Sequence, residues 1–235
     1  MTLLLQSIRR AKRTVQVLRG KDLWQQAQIA CDTCSLGNEG ARWCICAQGL
    51  GASSAVYSIG VGEEISFDLE VIHRFGVCVH AFDPTPRSIE WLAKQSLPGN
   101  FVFHPCGVAD FDGYAKFLPP ANPAHVSHTL VERQTPWPAI EVPVRRLRSI
   151  MHDLGHKRID LLKMDIEGAE YAVLKDLLAS RIAVNQLLVE FHHRWQEIGV
   201  EKTRQAIRDL NFAGYRIFDV SPNGEEYGFL RIAEG

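Results

Sequence analysis

VYSIGVGEEISFD (Val56–Asp68) is an apolar run that turns at two glycines and passes into a charged, helix-like segment. Strand, tight glycine turn and helix make up the opening of a nucleotide-binding α/β unit. Glycine at 60 and 62 lets the backbone take unusual dihedrals and come close to a ligand. The third glycine of a dinucleotide fingerprint is missing, however. Glu63 and Glu64 stand where a pyrophosphate would meet the helix N-terminus.

Outward from this unit, strands and helices alternate. Strands are predicted over 53–61, 77–83, 101–109, 159–165 and 185–193, and helices over 63–75, 88–95, 148–155, 167–180 and 200–214. Two final strands, 215–221 and 226–233, are joined by Pro222-Asn223-Gly224, a hairpin signal. Between 111 and 138 the rhythm breaks into a segment rich in Pro, Gly and His, read as a hairpin and a long loop. The pattern implies a Rossmann-like α/β fold: a mostly parallel seven-stranded sheet, helices on both faces, and an antiparallel strand in the C-terminal hairpin. Ligands of such sheets bind at the carboxyl ends of the strands.

Asp83 ends the second strand about twenty residues beyond the glycines, where an acid accepts both hydroxyls of a ribose. Together these residues describe an adenosine site. Two glutamates repel a pyrophosphate but suit S-adenosylmethionine, which has no phosphate and carries a sulfonium and an ammonium. Pairing with the helix dipole is the alternative role for each glutamate. A nicotinamide-dependent oxidoreductase is the rival enzyme, and a cofactor-binding scaffold without turnover is the rival outside enzymology.

From about Val56 the sequence resembles the FkbM family of S-adenosylmethionine-dependent methyltransferases. YSIGVGEEISFD, HAFDPTP, the PANPAHVSHTL loop, LLKMDIEGAE and LLVEFHH carry the resemblance, and KMDIEGAE follows the family's K-x-D-x-E-G-x-E form. It covers roughly four-fifths of the chain. It implies a class I methyltransferase fold and, from the best-known members, O-methylation of hydroxyls on sugars or natural products. Carried over by position, Gly60 and Gly62 line the methionine part, Asp83 the ribose, and Gly107 to Asp110 the adenine. Ser58, Glu64, Val108 and Asp165 complete the expected cofactor contacts. HAFDPTP and the paired histidines of EFHHR depart from the antibiotic-tailoring members, so the acceptor does not transfer with the family.

Methyl transfer to oxygen needs alignment and removal of a proton. Asp165 ends the fourth strand, and Glu190 and His192 share one face of the next by period two. These three are the expected catalytic groups and could also hold a divalent cation that binds an acceptor diol. Glu190 could equally be a buried carboxylate bonded to backbone or Lys163, and Glu167 a cap for its helix. His193 reads as a satisfied core or surface histidine. His125, Ser127 and His128 lie in the irregular segment, and His128 is the acceptor-side candidate if that segment acts as a lid.

The remaining features bound the class. A length of 235 residues fits one α/β domain, expected over 49–235, behind an extension over 1–48. Net charge is −1, so the whole chain has no nucleic-acid signature, and no apolar run reaches the roughly 20 residues of a membrane span. A cytoplasmic location and a small-molecule or saccharide acceptor are therefore expected. Arg9, Arg10, Lys12, Arg13, Arg19 and Lys21 precede the first acid, Asp22, on an amphipathic helix with Leu4, Ile8, Val15 and Leu18. Its stripe is expected to pack on the domain, with peripheral membrane contact or organelle targeting as the alternatives. Cys31, Cys34, Cys44 and Cys46 have spacings compatible with zinc or with plain reduced thiols. Oligomeric state leaves no mark in the sequence.

Overall fold

The structure is a computed structural model and describes residues 11–118, Lys12 excepted, and 138–232. His125, Ser127, His128 and the rest of the PANPAHVSHTL loop lie outside the described residues. The strands are β1 (Thr33–Leu36), β2 (Trp43–Cys46), β3 (Ala55–Ile59), β4 (Cys78–Phe82), β5 (Phe101–His104), β6 (Gly107–Val108), β7 (Gly113–Phe117), β8 (Ile140–Arg145), β9 (Ile159–Met164), β10 (Val184–Glu190), β11 (Tyr215–Val220) and β12 (Glu226–Arg231). The helices are α1 (Ser66–Phe75), α2 (Pro86–Leu92), α3 (Leu147–Leu154), α4 (Glu170–Ala179) and α5 (Gly199–Phe212).

Seven strands form one sheet in the order β11-β12-β10-β9-β3-β4-β5. β10, β9, β3, β4 and β5 run parallel, and β12 runs antiparallel to both β10 and β11. This is the expected Rossmann-like, mostly parallel seven-stranded sheet, with its last strand inserted as a hairpin. All six residues of β9 are buried, the four apolar ones packing on both faces, so the strand can sit at the centre, with Asp160 and Lys163 near its two ends. α1 stops where Gly76 turns left-handed (φ 66°) and donates its N–H to Ile72 O. Pro86 sits in the first turn of α2, where a missing N–H costs nothing.

Side chains alternate across the sheet into two cores. Tyr57 and Ile59 point to one built with α3, α4 and α5. Val56 and Val79 point to the other, built with α1, α2 and the β1–β2 hairpin. Each such large apolar side chain contributes about 1.5–3 kcal/mol by leaving water. The hairpin therefore lies where a covering helix would lie beneath β10 and β12. Gln186 fixes it by accepting from Cys46 N (2.7 Å) and donating to Cys46 O (3.0 Å).

Four expectations change. The strand predicted over 101–109 breaks at Pro105, which has no N–H for a ladder. Gly107–Val108 instead joins β8 and β7 in a separate three-stranded sheet. The strand predicted over 185–193 ends at Glu190, so His192 lies in the following turn, and α4 begins at Glu170, not at Glu167. The N-terminal helix, described from residue 13 to 18, does not bury the described part of its apolar stripe. Val15 is 45% and Leu18 83% exposed, whereas Arg13 is buried and donates to Leu23 O (2.8 Å). No helix among the described residues is long and apolar enough to cross a membrane.

Candidate active site

The strand order reverses between β3 and β9, and a cleft of about 390 Å³ opens there at their carboxyl ends. Gly60 and Gly62 form its rim with φ of 75° and 56°. A Cβ on Gly60 would lie 1.7 Å from Asp165 O, so only glycine lets the ends of β3 and β9 meet. Asp83 braces the loop from β4. Its Oδ2 accepts from Gly62 N (2.9 Å), and its Oδ1 accepts from Thr85 N (2.9 Å) and Thr85 Oγ1 (2.6 Å). Gly107 and Val108 close the far side together with Phe117.

Glu63 pairs with Arg87 at 2.8 Å, and Glu64 accepts from Ser66 N (2.7 Å) at the start of α1. Both line the cleft while tied to the helix N-terminal region. Burial pushes the Glu64 carboxyl up, but the Ser66 hydroxyl and amide outweigh it and hold the group below its usual range. Ser58, an expected contact, is fully buried within β3 and is not part of the cleft wall.

Lys163 lies on the cleft floor, 6% exposed, donating to Gly60 O (3.0 Å) with its ammonium 5.5 Å from the centre of the Trp43 ring. Its charge opposes the burial that pushes Asp68 and Asp165 up. Asp68 Oδ1 and Ser58 Oγ are buried side by side, and the Ser58 hydroxyl and the Lys163 ammonium both offset the burial of the Asp68 carboxyl.

Asp165 and Glu190 reach the cleft from the ends of β9 and β10. His192 stands behind them, with Nε2 3.2 Å from Glu167 Oε2 and 3.9 Å from Asp165 Oδ1. Glu170 fixes that ring. Its Oε1 accepts from His192 N (3.1 Å) and lies 3.2 Å from His192 Nδ1, while its Oε2 accepts from Gly168 N (2.8 Å). Glu167 reaches the imidazole from a left-handed turn (φ 53°), a conformation that costs a non-glycine residue about 1–2 kcal/mol. Burial, then the charges of Asp165 and Glu226, push the Glu190 carboxyl up to about 9. Burial lowers His192, but Glu167 and Glu170 prevail and push it up to about 11.

The residues after His192 are held from the N-terminal segment. Asp22, fully buried, accepts from His193 Nε2 (3.0 Å), Arg194 Nε (3.1 Å) and Arg194 Nη2 (2.5 Å). Arg194 also pairs with Glu225 (2.6 Å). His193 is thus a satisfied core histidine at its Nε2. A second groove, about 450 Å³, adjoins the cleft and shares Glu39, Gly40, Arg42, Trp43 and Glu226 with it.

Asp165, Glu190 and His192, singled out from spacing, are therefore together, as are Gly60, Gly62, Glu64, Asp83, Gly107 and Val108 around the cleft. Glu170, Lys163 and Asp22 were given no such part. The final Glu of KMDIEGAE was visible as part of the motif, whereas nothing local marks Asp22 as the partner of residues about 170 positions away. Among the described residues the four clustered cysteines do not converge as metal ligands; they are free thiols, and burial raises Cys44 to about 12.

A family model described as "Methyltransferase FkbM domain" matches residues 51–217. "Probable methyltransferase-like protein 24" of Rattus norvegicus is 30% identical over 174 residues, covering 69% of this chain and 42% of the relative. Its Homo sapiens counterpart is 28% identical over 174 residues, covering 69% and 41%. The chain thus spans about two-fifths of the length of these curated relatives. The crystal structure of Methyltransferase FkbM from Methylobacillus flagellatus KT is 13% identical, with a TM-score of 0.48 over 78% of this chain and 45% of that one. With the family model spanning well over half of its 235 residues, the chain belongs to the methyltransferase FkbM family.

Proposed function

We propose that the chain binds S-adenosylmethionine in the β3–β9 cleft and transfers its methyl group to a hydroxyl of a small-molecule or saccharide acceptor in the adjoining groove. The observation that carries this reading is the junction itself, where Asp165 and Glu190 face a cleft that runs into a second groove. The cleft suits the cosubstrate because its glycine rim admits close approach. Glu64, held ionised at the glycine turn, provides negative potential for a sulfonium and an ammonium, and disfavours a pyrophosphate.

In the reaction an acceptor oxygen attacks the methyl carbon in line with the C–S bond. The C–O bond forms as the C–S bond breaks, its electron pair stays on sulfur, and S-adenosylhomocysteine leaves. Holding donor and acceptor in line supplies most of the acceleration. The acceptor proton passes to a carboxylate of the Asp165–Glu190 pair, with His192 oriented by Glu170 to stabilise the negative charge beside it. A divalent cation held by Asp165, Glu190 and His192 would serve the same end by acidifying the hydroxyl.

Thermal-shift titrations with S-adenosylhomocysteine and NAD at equal concentration test the cosubstrate. Stabilisation by S-adenosylhomocysteine is expected, and stabilisation by NAD alone refutes the reading. Incubation with methyl-labelled S-adenosylmethionine and a panel of polyols and saccharides then tests the acceptor class.

A further inference from the structure

We propose that Asp165, Glu190 and His192 form a binding site for a divalent transition cation of the Mn2+ type, with Glu167 as an additional ligand. One ligand atom from each of the three residues lies within 4.8 Å of the others. Ligands on one ion at about 2.1 Å sit roughly 3–4 Å apart, so small side-chain rotations complete the set. Glu167 Oε2 is already 3.2 Å from His192 Nε2, which places a fourth donor beside the same point.

Two further observations separate this cluster from a chance gathering of acids. Glu190 is a strand-end residue facing the cleft, gathered with Asp165 and paired in register with Glu226, which also lines it. Several partly buried acids gathered in one wall are costly to ionise together unless a cation meets them. His192, in turn, has its Nδ1 engaged by a fully buried carboxylate, Glu170, which is locked by the Gly168 and His192 amides. A ligating imidazole is ordinarily oriented by this kind of outer partner, which fixes the tautomer and directs Nε2 at the ion. Here Nε2 faces Asp165 and Glu167.

The donor types point to the ion. Oxygen-rich sets suit Mg2+ and Mn2+, and an imidazole moves the preference towards Mn2+. Three or four protein donors leave two or three positions of an octahedron for other ligands. They would face the junction of cleft and groove, where a chelating acceptor, such as a vicinal diol, can occupy adjacent positions. The inference rests on the methyl-transfer reading for what the ion does, but not for whether it binds.

The test is an electron paramagnetic resonance titration of the metal-free full chain with Mn2+ alone, alongside calorimetry with S-adenosylhomocysteine in metal-free buffer. One saturable Mn2+ per chain is expected, weakened about 10–100-fold in Glu190→Gln and in His192→Gln. Pulsed spectra of wild-type protein with bound Mn2+ should show coupling to an imidazole nitrogen, which needs no variant to fold. Non-saturable binding, unchanged affinity in both variants, or saturable binding without nitrogen coupling overturns the site. Failure of S-adenosylhomocysteine to bind while Mn2+ binds overturns the methyl-transfer reading and leaves the metal site standing.

Discussion

Gly60→Ala should disable the cleft, and its cost can be worked from two terms. Gly60 has φ of 75°, a left-handed conformation that costs an alanine about 1–2 kcal/mol. The added methyl also lies 1.7 Å from Asp165 O and 2.8 Å from Asp165 C, far inside van der Waals contact. Relief requires the ends of β3 and β9 to separate, straining the Asp165 N–Ile59 O bond (3.1 Å) and the Lys163–Gly60 bond (3.0 Å). Overpacking of this kind adds roughly 1–3 kcal/mol, for a total of about 2–5 kcal/mol. Gly155→Ala is the control. Its φ is 71° but nothing lies within 4 Å of its Cβ position, so it carries the conformational term alone. Urea unfolding of the two variants isolates the steric part, and calorimetry with S-adenosylhomocysteine reads the cleft. Equal stability losses within about 0.5 kcal/mol, with binding intact in Gly60→Ala, would refute the close approach of β3 and β9.

Asp22→Ala removes the buried acceptor of His193 and Arg194 and should cost about 3–5 kcal/mol in urea unfolding; a loss below about 1 would show the network to be dispensable. Asp83→Asn can turn one acceptor into a donor facing Gly62 N–H, and S-adenosylhomocysteine affinity should fall about 10–100-fold by calorimetry. His80 stacks on His104 with their nitrogens 3.0 Å apart, and burial, then the charges of His104 and His156, lower it from 6.5 to about 4. The folded state therefore binds fewer protons than the unfolded one across that window. Stability should be fully present above pH 6.5 and fall as pH drops through about 4. Solvent screening of a partly exposed ring limits the loss to on the order of 1–2 kcal/mol. His80→Phe should flatten that arm of the pH–stability curve; an unchanged slope would remove His80 as its source.

Much of this was legible because the determinants are local. The apolar run of β9, the glycine turn after β3 and the Pro-Asn-Gly hairpin each declare themselves within a few residues. Strand-end positions place Asp165 and Glu190 once the alternation is recognised, since period two and parallel pairing leave little freedom. What stayed hidden depends on distant partners. Arg13 is buried in place of the apolar stripe because Asp22 and the carbonyl of Leu23 receive it, and neither preference shows in a helical wheel. His192 left its strand because β10 ends at Glu190, and what orients its ring is Glu170 across the fold. The segment 101–109 misled because apolar content outweighed one proline.

The position of β12 also has a consequence for the order of assembly. β11 touches the rest of the sheet only through β12, which is the last of the described strands to leave the ribosome. β11 must then wait with its β12-facing edge open, while Ile217 can already bond to Gln28 and Ile29, and Asp22 waits for His193 and Arg194 across about 170 residues of synthesis. Sheet closure and the N-terminal anchor are thus late events on a nascent chain, and unpaired edges invite capture by other molecules meanwhile. Stalled nascent chains in which β11 but not β12 has emerged should be protease-sensitive at β11, whereas the segment around Asp22 should become protected once His193 and Arg194 have emerged. Protection of β11 before β12 emerges would show that the sheet can close without its inserted strand.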